Sequence, residues 1–91
     1  LKTKLAVIDN ALEKVCQLSG FYYRANEVAQ ALGYDGEQIH VGLSAQEVNS
    51  VLPEVIRPAP IDPQYMTLDY AKIVPLLVEA IKELRSLIQT N

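Results

Sequence analysis

Val74-Pro75-Leu76-Leu77-Val78-Glu79-Ala80-Ile81-Lys82-Glu83-Leu84-Arg85-Ser86-Leu87-Ile88 is the stretch on which the fold turns. At about 100° per residue, Val74, Leu77, Ile81, Leu84 and Ile88 fall on one stripe. Their 3-4-3-4 spacing is that of the a/d seam of a coiled coil. Ile73, Leu76, Ala80 and Leu87 widen the apolar arc on one side, and Val78 widens it on the other. The arc spans about 200°, whereas a helix resting on its own core needs only about 100°. Two burial partners account for the excess: the domain itself and another copy of the same helix. The alternative is a central helix buried on most sides within a monomer. The seam covers two heptads, and Val or Ile at a with Leu at d favours two strands in an isolated parallel coil. Periodicity therefore points to self-association without fixing three copies. Asp69 is expected to cap the segment, which runs to Thr90. Pro75 predicts a break near Val74, or a new helix with proline at its first position.

Upstream, Ser44-Ala45-Gln46-Glu47 reads as a capping box. The Ser44 hydroxyl accepts from the Glu47 N–H, and the Glu47 carboxylate accepts from the Ser44 N–H. A helix to about Leu52 follows, and Pro53 ends it. Gln38 to Leu43 alternates polar and apolar residues and predicts a strand. Phe21-Tyr22-Tyr23, after Gly20, predicts a second one. Phe21–Arg24 and Gln38–Leu43 are expected to pair antiparallel around a helical insert, Asn26 to Leu32, which Gly33 stops. Tyr34-Asp35-Gly36 reads as a turn, with Asp-Gly supporting positive φ. Leu5, Ile8, Leu12, Val15 and Leu18 recur at helical spacing and predict a helix from Asp9 to Leu18. Asp9 or Asn10 is its expected cap, and Ser19-Gly20 its end, with the glycine left-handed. Short strands are expected at Glu54 to Arg57 and Tyr65 to Leu68. Pro58, Pro60 and Pro63 stiffen the loop between them. The class is α+β: one mostly helical domain over residues 1–91, with a small antiparallel sheet and a long C-terminal helix.

Composition narrows the function classes. A monomer of 91 residues buries only about 60–65% of its unfolded surface, so a lone copy is marginal. The hydrophobic share of 49% is high for a soluble domain and invites burial against a partner. The net charge of −3, without a Lys/Arg cluster, points away from nucleic acid. No apolar run approaches the length of about 18 residues that a membrane span needs. Cys16 is the sole cysteine and has no metal set near it. No cofactor, metal or small-molecule substrate is expected. No signal peptide is visible, and the chain opens on Leu1-Lys2 without an initiator Met, so it is expected to be the tail of a longer protein.

Three segments carry a resemblance. The first is Asp9-Asn10-Ala11-Leu12-Glu13-Lys14-Val15 with Gly20-Phe21-Tyr22-Tyr23. The second is His40-Val41-Gly42-Leu43-Ser44-Ala45-Gln46-Glu47-Val48 with Val51-Leu52-Pro53-Glu54-Val55. The third runs from Leu68-Asp69-Tyr70-Ala71-Lys72-Ile73 through Val74-Pro75-Leu76-Leu77 to Leu84. In this order and at these distances they resemble the intramolecular chaperone domain of phage tail spikes and tail fibres, the endosialidase-type peptidase S74 family. The match covers almost the whole chain.

The resemblance implies a homotrimer that registers three upstream fibre or spike chains for folding and is then released by self-cleavage. It implies assembly in the host cytoplasm and a precursor that belongs to the virion tail. A trimer built from local helical contacts can form before the slow, non-local stem. Release then traps the product kinetically. The Val74, Leu77, Ile81, Leu84 and Ile88 stripe becomes the expected trimer interface. Cleavage in the family resembles a Ser–Lys dyad, in which Ser attacks the peptide bond before it and a Lys five residues on is general base. A lysine does this only where desolvation or nearby cations favour its neutral amine. Aligned to a Ser-Asp-x-x-x-Lys pattern, Lys2 is the candidate catalytic base and Lys4 the runner-up. The Ser is expected upstream of Leu1, so this chain should be unable to cut itself. A permanent trimeric fibre tip without proteolysis is the alternative.

The remaining candidates have structural readings. His40 fits a hydrogen-bonder on a strand, and Gln46 a backbone contact in the capping turn. Asp69 and Tyr70 fit capping and packing of the final helix, with the Tyr70 hydroxyl able to bond across a subunit boundary. Asn26 to Tyr34 is similar to the turn-proximal helix of some helix-turn-helix DNA binders. Its acidic-to-neutral character and the alternating segment after it speak against that.

Overall fold

The computed structural model describes residues 1–58 and 66–90. The chain is α+β. Four α-helices are described: α1 (Ala11–Cys16), α2 (Glu27–Ala31), α3 (Ala45–Val51) and α4 (Val74–Thr90). The strands are β1 (Gly20–Tyr23), β2 (His40–Leu43), β3 (Ile56–Pro58) and β4 (Met66–Leu68). Instead of one small sheet there are two antiparallel ribbons. β1 pairs β2 with Gly20 opposite Leu43 and Tyr23 opposite His40, and β3 pairs β4 with Ile56 opposite Leu68. The first pairing is the expected one, closed around α2. The prolines Pro60 and Pro63 and the residue Tyr65 lie outside the described residues.

α4 is preceded by a 3-10 segment, Tyr70–Ile73, so the helix type changes where Pro75 forbids a backbone donor. This is the expected break at Val74. Asp69 occupies the cap position, yet its side chain makes no capping bond. Its carboxylate instead accepts from Arg57 Nη2 at 3.3 Å and lies 3.9 Å from Lys72 Nζ. Two nearby cations compete with the orphan N–H groups for the same oxygens.

Two small apolar clusters hold the chain together. Ala11, Leu76 and Ala80 form one, flanked by Ile8, Leu12 and Val15. Val48, Val55 and Ile73 form the other, flanked by Leu43, Ile56 and Leu68. Leu18 and Leu52 pack against both. Ala11 and Ala80 have side chains short enough to bring α1 close against α4. That closeness carries a polar contact between the two ends of the chain. Glu83 of α4 accepts from Ala11 N–H at 2.8 Å and from Leu12 N–H at 3.1 Å. A six-residue helix is too short to persist alone, and its first N–H groups need acceptors. Neither Asp9 nor Asn10 supplies them, contrary to expectation. Asn10 is left-handed, with φ 48°, a conformation asparagine tolerates better than most residues. Asp9 pairs with Lys14 at 3.4 Å. Gly20 is not left-handed either: α1 ends at Gln17 in right-handed geometry and Gly20 opens β1.

The Ser44 box is half formed. Ser44 Oγ accepts from the Glu47 N–H at 3.3 Å as expected. The Glu47 carboxylate does not return to Ser44 but accepts from the Ser19 N–H at 3.2 Å. It therefore ties α3 to the α1–β1 turn. In α2, Asn26 caps through Oδ1 to the Ala29 N–H at 2.9 Å, and Gly33 at φ +104° ends the turn. The next turn is closed by Asp35 Oδ1 accepting from the Glu37 N–H at 2.8 Å, not by a positive-φ Gly36. α2 is followed by a strand, so Asn26 to Tyr34 is no helix-turn-helix.

The molecule is open for its size. Its radius of gyration is 16.0 Å, against about 12 Å for a compact chain of this length. Its accessible surface is 7157 Å², against about 5,300 Å² for a folded monomer of 10.1 kDa.

Glu83→Ala is expected to lower stability by about 1–3 kcal/mol, because two helix-end donors lose a charged acceptor. Asp9→Ala should change it by less than about 0.5 kcal/mol. Chemical denaturation of both variants checks the contrast.

Candidate functional site

α4 divides into faces of different fate. Ile73, just before it, and Leu76 and Ala80 within it are buried on the chain's own core, and Glu83 continues that side. The five stripe residues face away from the core. Val74 is 55% exposed, Leu77 41%, Ile81 66%, Leu84 45% and Ile88 67%. The arc of about 200° is thus split, with one part covered by the domain and the seam left uncovered. Leu87 and Val78, which flank the arc, are also exposed.

Residues 1–9 form an arm without helix or strand. Lys2 and Lys4 are both exposed on it, and no hydrogen bond or ion pair joins either to another side chain among the described residues. Lys4, Ala6, Val7 and Ile8 line a shallow groove with Pro75, Val78 and Glu79. The arm therefore rests near the N-terminal end of α4, beside the stripe. The arrangement gathers no nucleophile, base and acceptor site.

The Gly42-to-Glu47 motif is explained mostly by local fit. A Cβ on Gly42 would stand 2.7 Å from Tyr70 Oη and 3.0 Å from Tyr23 Cε1. The Tyr70 hydroxyl in turn accepts from the Leu43 N–H at 3.0 Å, within the chain. It clasps β2 to the segment that leads into α4. Gln46 bonds a side chain rather than backbone: its Oε1 accepts from Ser44 Oγ at 3.1 Å. His40 stacks on Tyr23, its cross-strand neighbour, with ring centroids 5.2 Å apart.

Sequence reasoning missed Glu83 and Gly42. Both left a signal. Glu83 lies seven residues after Leu76 and three after Ala80, an acid placed on the core side of an apolar helix. A glycine inside a strand marks a close approach by another group. Among the described residues there is no group of His, Cys, Asp and Glu able to hold a metal ion, and no helix is long and apolar enough to cross a membrane.

Gly42→Ala is expected to cost about 1–3 kcal/mol through this overlap. The cost should shrink in a Tyr70→Phe background, which removes the colliding oxygen. A double-mutant denaturation cycle with a coupling near zero would contradict the clasp.

The family described as the chaperone of endosialidase, peptidase S74, matches residues 1–57. A long tail fiber protein Gp37 of Escherichia phage AR1 is 30% identical over 83 residues, 91% of this chain. The Gp37 proteins of Enterobacteria phages K3 and T2 are each 34% identical over 86 residues, 92% of the chain. The aligned part is 8%, 7% and 6% of those three fibre proteins respectively. On the match to residues 1–57, and on these relatives, the chain belongs to the chaperone-of-endosialidase family.

Proposed function

We propose that the chain is the assembly domain of a phage tail fibre. It trimerises through α4, brings three fibre chains into register for folding, and is then released by a single self-cleavage. The observation that carries this reading is the uncovered stripe of Val74, Leu77, Ile81, Leu84 and Ile88 on a helix whose other side is already buried. Three such helices, packed stripe to stripe, remove from water what the domain leaves exposed, and the gain is about 25 cal/mol per Å² of apolar surface. The similarity to tail fibre proteins supports the identity of the upstream partner. The working place that follows is the host cytoplasm during virion assembly, with the precursor a component of the tail.

For release, the reading assigns Lys2 as general base to a Ser upstream of Leu1. The Ser hydroxyl would attack the carbonyl of the peptide bond before it and pass its proton to the Lys2 amine. That proton would then go to the leaving amine, the serine's own, leaving an ester through the Ser oxygen, and water would hydrolyse that ester to free the domain. Lys2 stands on an exposed arm. The dry surroundings a lysine base needs must therefore come from the upstream segment or from assembly.

Two outcomes check the reading. Light scattering across dilution should give three times the mass of 10.1 kDa for the chain. Leu77→Asp or Ile81→Asp should give the single mass with unchanged circular dichroism, because the buried seam would then hold an unpaired charge. A fully trimeric Leu77→Asp variant would sink the interface. In the fibre precursor, Lys2→Met should abolish release while Lys4→Met leaves it intact. Cleavage that persists in Lys2→Met removes Lys2 from the role, and a wild-type precursor that never cleaves favours a permanent trimeric tip.

A further inference from the structure

The stripe on α4 is not the whole of the uncovered apolar surface. On the arm, Leu5 is 92% exposed and Val7 62% exposed, although Ile8 beside them packs on the core. The arm runs beside Pro75, Val78 and Glu79, with which it lines a shallow groove. Advancing about 100° per residue, these three residues occupy the third of α4 that is neither core nor stripe. α4 is therefore surrounded by three neighbours at three angles: its own core, its own arm, and whatever meets the stripe.

In a bundle of three such helices, the arm side of one helix faces the next copy. The edge of the stripe nearest the core, Leu77 and Leu84, is the edge that the next copy presents in return. We propose that Leu5 and Val7 of one copy pack on the Leu77–Leu84 edge of the neighbouring copy's α4, so that each subunit contact is closed by an arm. This deepens the trimeric reading above and rests on it.

Two further observations favour a second copy as the occupant. The first is area. The accessible surface exceeds that of a compact monomer by about 1,900 Å². A subunit in a trimer takes part in two contacts, and a stable contact removes about 800 Å² from each partner. Five stripe residues, each about half exposed, supply only part of that, and the arm is the adjacent apolar surface. The second is charge. On the arm Lys2 and Lys4 outnumber Asp9, which already pairs with Lys14, whereas the rest of the chain carries the other 10 acids against six basic side chains. A basic arm suits the acidic body of another copy, and in its own copy Lys4 already shares a groove with Glu79.

The test uses the 91-residue chain, with dissociation followed by light scattering and analytical ultracentrifugation across dilution. The Leu5→Ser, Val7→Ser double variant should keep the wild-type circular dichroism, since both side chains are exposed in the single copy. Its trimer should dissociate at a concentration at least about tenfold higher than wild type, and a tenfold change in each constant corresponds to about 1.4 kcal/mol. Val28→Ser, at a half-exposed apolar residue on α2, should leave the midpoint where it was. A wild-type trimer with an identical midpoint in the arm variant overturns the arm contact and leaves the stripe standing. A wild-type chain that is monomeric at every concentration overturns the trimer and the arm contact together. An equal shift from Val28→Ser also overturns the proposal, because loss of any exposed apolar residue would then suffice.

Discussion

The carboxylate of Glu83 is the contact on which the rest of the architecture depends. α1 is six residues long and carries no cap of its own, so its existence as a helix is conditional on α4. Glu83 accepts two of its first N–H groups across 71 and 72 residues of sequence. The same approach seals Ala11 against Leu76 and Ala80. Without that docking, Leu12, Val15 and Leu18 lose the surface they rest on, and Leu18 no longer bridges to the Val48 cluster. Glu47 repeats the device on a smaller scale by accepting from Ser19. A chain with so few buried residues uses charged acceptors, worth more per bond than neutral ones, where a larger protein would use bulk.

α4 sets how the small core is distributed. Its one apolar arc serves two purposes, and the boundary between them runs along the helix between Leu76 and Leu77 and again between Ala80 and Ile81. On the domain side the small Ala80 follows the larger, fully buried Leu76, and Ala80 with Ala11 marks where α1 comes close. Branched side chains lie on the open side. The 3-10 segment before Val74 fixes the rotation at which the arc begins, and the Tyr70 hydroxyl holds that segment to β2.

Much of this was legible in the sequence, for definable reasons. Periods of 3.6 and 2 are properties of local geometry, so α4, α3 and the β1–β2 pairing could be read from residues alone. The Ser44 cap, the Gly33 stop and the Pro75 break are likewise effects within one turn. The errors share a cause. Asp9, Asn10, Asp69 and Glu47 were each assigned the nearest backbone donor, and each has a different partner or conformation in the fold. A side-chain oxygen competes among every donor and cation it can reach, and those brought in by folding are invisible in a local window. The stripe is visible as a pattern because apolar residues at 3-4-3-4 spacing fall on one side of a helix. Glu83 was passed over because its partners lie at the other end of the chain. Lys2 and Lys4 came from family likeness alone, and the fold leaves both on the surface of the arm.

The arm meets α4 beside Pro75, Val78 and Glu79, at the helix's first turns, while the helix runs on to Thr90. Chain entry and helix start are therefore at the same height. In a parallel three-helix bundle, axes lie about 8–10 Å apart, and the three entering chains are delivered to one end with no axial offset between them. If the proposed trimer forms, the translational search that three independent strands would have to complete would be over before the first residue of the stem has folded.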